Sequence, residues 1–167
     1  TDPAGNTSEP VTSTTDQSLV ELDTQKPELE NITFTSSNTF DSSYSKAGDN
    51  LTLRFRVVSA EIIQPPTVVI EDRSVLANES GGFWEATYLV DSSDNGTADY
   101  LIAFKDRAGN VGDNVSGPLE DSSQITIDND APGLTLVRIE SDNRYDSSLA
   151  KLGDNVTLTF HATEDLQ

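Results

Sequence analysis

What most constrains this chain is that it repeats itself: Pro27, Leu29 and Phe40-Asp41-Ser42-Ser43 return 105 residues later as Pro132, Leu134 and Tyr145-Asp146-Ser147-Ser148. The longest block, Lys46-Ala47-Gly48-Asp49-Asn50-Leu51-Thr52-Leu53-Arg54-Phe55, returns in the same register as Lys151-Leu152-Gly153-Asp154-Asn155-Val156-Thr157-Leu158-Thr159-Phe160. A period near 100 is too long for the roughly 20–50 residues of a solenoid unit and suits whole domains strung as beads. Upstream, Asp2-Pro3-Ala4-Gly5-Asn6 precedes its counterpart Asp106-Arg107-Ala108-Gly109-Asn110 by 104 residues. Each leads through a polar stretch into a strand-like segment, residues 19–23 and 124–128, and then to a Pro-marked seam. The seams are Asp23-Thr24-Gln25-Lys26-Pro27 and Ile127-Asp128-Asn129-Asp130-Ala131-Pro132. The chain therefore divides into 1–26, the C-terminal part of one unit; 27–130, a complete unit; and 131–167, the N-terminal part of a third. The two partial pieces together fall well short of one 105-residue unit. The expectation is a window onto a longer tandem array, the alternative being open edges that accept strands from neighbouring chains.

Within the complete unit the hydrophobic period is two. Leu51, Leu53, Phe55 and Val57 alternate with Thr52, Arg54 and Arg56, the pattern of a strand with one face on a core and one in water. The same alternation runs through Trp84, Ala86, Tyr88 and Val90, and through Ala98, Tyr100, Ile102 and Phe104. Shorter strands are predicted over 30–35, 67–71 and 124–127, with a weak edge strand over 74–77. Turn residues separate them at Gly48-Asp49-Asn50, Pro65-Pro66, Gly81-Gly82 and Asp94-Asn95-Gly96. About seven short strands per unit predict an all-β fold of tandem immunoglobulin-like Greek-key β-sandwiches. Trp84, Tyr88, Tyr100, Phe104 and Phe55 are expected to fill the space a disulfide would otherwise brace, since the chain has no Cys.

Composition narrows the function class. Ten Lys plus Arg face 29 Asp plus Glu, a net charge of -19 that repels nucleic-acid phosphates and anionic headgroups. No segment reaches the roughly 20 apolar residues that span a bilayer, so direct membrane insertion is not expected of this segment. Without Cys or Met, thiolate metal sites and Cys nucleophiles are excluded. Seven of 11 asparagines stand in Asn-X-Ser/Thr, where chance would place about two: Asn6, Asn31, Asn50, Asn78, Asn95, Asn114 and Asn155. Two explanations compete, turn-forming residues that cluster for conformational reasons, and N-linked glycans on an extracellular or cell-surface protein.

A Pro-marked start, Lys46-Ala47-Gly48-Asp49-Asn50-Leu51-Thr52-Leu53-Arg54-Phe55, Pro66-Thr67-Val68-Val69-Ile70, Trp84-Glu85-Ala86-Thr87-Tyr88 and Asp106-Arg107-Ala108-Gly109-Asn110 together resemble the bacterial Ig-like (Big-type) repeats of large prokaryotic surface proteins. The resemblance covers essentially the whole chain. It implies a structural, extracellular role in an adhesin stalk, surface layer or filament, with neighbouring repeats and self-association in a lattice or filament as the partners.

Asp128, Asn129 and Asp130 at the second seam are similar to the acidic linkers of cadherin-like arrays, where oxygen ligands hold Ca²⁺ between domains. Asp106 and Asn110, in the loop before the last strand, are expected to approach the same junction. The first seam keeps Asp23 but has Gln25 and Lys26, so the acidic set is not repeated. The Asp106–Asn110 loop also reads as a metal-free local turn, with Gly109 at positive φ and Asp106 accepting backbone hydrogen bonds. Trp84 reads as core, with stacking on a sugar as the competing role. His161, the sole histidine, aligns with Arg56 on a solvated face. No carboxylate pair is singled out by spacing, so no catalytic residue, no enzyme activity and no required cofactor are expected.

Overall fold

The computed structural model describes residues 1–14, 16–117 and 124–164. Among them every regular element longer than a single turn is a strand. These are β1 (Leu29–Ser36), β2 (Tyr44–Ser45), β3 (Asn50–Val57), β4 (Thr67–Ile70), β5 (Arg73–Val75), β6 (Ala77–Ser80), β7 (Phe83–Leu89), β8 (Gly96–Thr97), β9 (Tyr100–Ala103), β10 (Val115–Ser116), β11 (Thr126–Ile127), β12 (Leu134–Ser141) and β13 (Val156–Ala162).

Strands β1 to β11 form a β-sandwich. One antiparallel sheet has the order β1-β3-β7-β6 and the other β10-β9-β4-β5. A small third sheet, β2-β11-β8, closes one side, with β11 parallel to β2 and antiparallel to β8. The alternation of β3 becomes the inner face of the first sheet: Leu51, Leu53 and Phe55 are fully buried while Arg54 and Arg56 are exposed. Ala86 and Tyr88 of β7, with Val90 just beyond it, lie beside them on the same inner face, and Val68 and Ile70 of β4, Tyr100 and Ile102 of β9 and the following Phe104 cover them from the other side. Burial of each large apolar side chain contributes roughly 1.5–3 kcal/mol, which is how a Cys-free unit offsets its ordering entropy.

Two local expectations are corrected. The edge strand predicted over 74–77 is two strands, because at Leu76 the chain leaves β5 in the second sheet and enters β6 in the first. Trp84, expected in the core, packs against it but is only partly buried, at the second position of β7 and opposite Phe55 of β3.

The internal repeat extends to individual bonds. β12 occupies the positions of β1 shifted by 105 residues, and both carry a bulge with an unusual left-handed residue, Asn31 (φ 52°) and Leu136 (φ 48°). Asn38 Nδ2 donates to Asp49 Oδ2 at 2.9 Å, and Asn143 Nδ2 donates to Asp154 Oδ2 at 2.9 Å. The amides of Lys46 and Lys151 each donate to the same aspartates at 3.0 Å. Yet β12 and β13 form only a two-stranded sheet whose apolar face is open, so Phe160 is 46% exposed where its counterpart Phe55 is 0%. Residues 19–23, expected to be strand-like, are not a strand, and Val20 is 100% exposed. Their counterparts 124–128 order against β2 and β8, partners that 19–23 lack among the described residues.

Candidate functional site

Ile63 bridges Asp106, and the Glu61 amide donates to the Val58 carbonyl at 3.3 Å, so the Asp106–Asn110 loop lies at the Val57 end of β3. Asp106 is buried and closes its own loop. Oδ1 accepts the amides of Gly109 at 2.6 Å and Asn110 at 2.8 Å, and Oδ2 accepts Asn110 Nδ2 at 2.7 Å. Gly109, at φ 101°, supplies the left-handed turn. Burial pushes the Asp106 carboxyl up, but the hydrogen bonds from Asn110, Gly109 and Ala108 outweigh it and hold it below the usual carboxylate range. The exposed Asp2–Asn6 turn has the same bonds, Asn6 N to Asp2 Oδ1 and Asn6 Nδ2 to Asp2 Oδ2, both at 2.9 Å. The motif is thus a self-contained turn that forms with or without a sandwich beneath it.

Around Asp106 the structure gathers a carboxylate set that the sequence did not single out. Asp23, Glu61 and Asp106 each place an oxygen within 4.8 Å of the others. Burial, then the charges of Asp106 and Asp23, push the Glu61 carboxyl above its ordinary range. Asn110 Nδ2 also reaches the carbonyl of Asp23 at 3.3 Å, and Lys26 pairs with Asp113 at 3.2 Å, which ties the first seam to the sandwich. Three hard oxygen donors fit Ca²⁺ in kind and supply half or fewer of the roughly six to eight it takes.

The second seam lies at the other end. Asn129 Oδ1 accepts the amide of Ala47 at 2.6 Å, while its Nδ2 donates to the carbonyls of Asp94 at 2.7 Å and Asp91 at 3.3 Å. Asp128 binds Ser45 through its amide and accepts the amide of Asp130 on Oδ1 at 3.0 Å. These partners sit at the Asn50 end of β3, whose eight residues at about 3.3 Å each hold the ends apart by roughly 25 Å. The expectation that Asp106 and Asn110 converge on Asp128, Asn129 and Asp130 is therefore corrected: the two sets belong to opposite ends of the sandwich. Asn129 is a cross-link between two loops, with its oxygen already engaged.

The asparagines separate into two groups. Asn6, Asn31, Asn50, Asn78, Asn95, Asn114 and Asn155 are all exposed. The four outside sequons, Asn38, Asn110, Asn129 and Asn143, are all partly buried and hydrogen-bonded through their side chains. Of the seven, Asn6 and Asn155 donate their amide nitrogens to Asp2 and Asp142. Asn78 lies within an edge strand, while Asn31 takes the left-handed bulge position of β1 and Asn50 opens β3 directly after a turn, both places that suit asparagine for conformational reasons. His161 is exposed on β13.

The chain matches no family model, no curated protein and no solved structure.

Proposed function

We propose that this chain is a structural, non-catalytic segment of an extracellular surface or filament protein built from tandem immunoglobulin-like repeats, serving as spacer, stalk or lattice element. The carrying observation is the bond-for-bond recurrence of β1 and its following turns at a shift of 105 residues, because a repeated fold unit joined by a short seam is what a bead-like array requires. The sheet orders support the immunoglobulin type: β1-β3-β7-β6 facing β10-β9-β4 follows the order ABED facing GFC. All seven sequon asparagines lie at the surface, as attachment of a glycan requires.

No cofactor is required for this role. Calcium enters as an accessory at a seam, and geometry favours Asp23, Glu61 and Asp106 as its donors over Asp128, Asn129 and Asp130. A binding assay of this chain against a glycan array and against cells separates a spacer from an adhesin segment or an accessory module of a secreted enzyme. A spacer gives no saturable binding; saturable binding abolished by loop substitutions at one end of the sandwich replaces this role with ligand recognition.

A further inference from the structure

We infer that the cleft beside Trp84, at the Val57 end of the first sheet, binds an organic ammonium cation with an apolar body. This goes beyond the spacer role and does not depend on it. Beside Trp84, at the Val57 end of the first sheet, a cleft of about 770 Å³ opens, a size ordinary for small-molecule sites. Its walls come from three places: β1 and β3, the crossover at 58–65, and the β6–β7 hairpin. The apolar lining includes Trp84, Ile62, Ile63 and Pro65. Three carboxylates stand around it, Glu30, Glu61 and Glu79. Glu30 is neutralised by Arg56 at 2.8 Å. Glu61 and Glu79 have no salt bridge to Lys, Arg or His among the described residues.

Glu79 stands directly opposite Trp84 in the β6–β7 register, and directly opposed residues of an antiparallel pair project to the same face. It therefore shares the inward face of its strand with Ala77, which is buried. An inward charge on an edge strand such as β6 discourages stray pairing, which explains Glu79 alone. It does not explain Glu61 on the crossover wall of the same cleft. Two carboxylates without a cationic partner, Glu79 accepting only the Gly82 amide at 3.2 Å among the described residues, stand beside an indole and aliphatic side chains, the chemistry that receives an alkylated ammonium: charge to the carboxylates, methyl groups to the ring and its neighbours. A neutral sugar would leave both charges uncompensated, and a bare divalent ion would leave the apolar wall unused.

Trp84 is the only tryptophan, so its fluorescence reports the site alone. Choline added to the intact chain should change that emission saturably, with affinity about tenfold or more above that of neohexanol, its uncharged isostere. The double variant Glu61→Gln, Glu79→Gln should weaken choline by about tenfold or more without lowering the melting temperature, and saturation-transfer NMR on the choline methyl groups should weaken in parallel. Absence of saturation, equal affinity for neohexanol, or an unaffected double variant would each overturn the assignment.

Discussion

Asp106 and Glu61 respond to the same crowding in opposite directions, so together they fix how this end of the molecule meets acid. The folded Asp106 carboxyl lies below its ordinary value of 3.8, so the stability it contributes is present above that pH and is lost as pH falls through the folded value. The folded Glu61 carboxyl lies above 4.5, so its contribution is favourable below that pH and is lost as pH rises through the folded value. Near neutral pH, Asp106→Asn is expected to lower the melting temperature and Glu61→Gln to raise it slightly. Both differences should shrink as the pH is brought below about 4, which a series of melting curves in buffers of decreasing pH reads directly. Asp106 and its turn were legible in Asp106-Arg107-Ala108-Gly109-Asn110, because an Asx turn is local chemistry. The Asp23–Glu61–Asp106 cluster was not, since only the three-dimensional crossover brings Glu61 to the loop. Gly112 was equally hidden: a Cβ there would lie 2.3 Å from the Phe104 ring, a close approach that leaves no mark in a single sequence. The exposed asparagines carry a further expectation, hexose-sized mass increments on peptides of native material containing Asn50 and Asn95. Unmodified peptides at both would remove the glycan from the account.

At the level of elements, the same sequence at two places has two fates. The alternation of Leu51, Leu53, Phe55 and Val57 revealed β3 and its inward face, and the corresponding Val156, Leu158 and Phe160 revealed β13. Periodicity says which face seeks burial; it cannot say whether a covering sheet is present. Phe55→Ala should cost about 3–5 kcal/mol because a fully buried ring leaves a cavity, whereas Phe160→Ala should cost far less. Chemical denaturation of the two variants checks this, and equal losses would mean that β13 is covered as β3 is. The crossing from β5 to β6 at Leu76 was not legible, because an edge segment that changes sheets keeps its alternation while changing partners. Trp84 misled in the same way: it holds the inward phase of β7, but its position at the strand end, not its phase, decides how far it is covered.

For the whole molecule, the repeat fixes the organisation more firmly than any side-chain cluster does. Its two seams are built differently. The first is tied through Asn110, Asp23 and Lys26, with carboxylates close together; the second is locked by Asn129 onto Ala47, Asp91 and Asp94. Calcium added to chelated protein is expected to raise the melting temperature through the first seam, so Asp23→Asn should abolish the rise and Asp130→Asn should leave it intact. An identical melting curve with calcium and with chelator would remove the ion from the account. The sandwich between the two seams should unfold as one unit when a single chain is pulled from its two ends. The expected record is one cooperative unfolding event that lengthens the chain by roughly 300–350 Å, the span of the residues between the seams less the folded end-to-end distance. A featureless extension, or two or more events of comparable length, would contradict it.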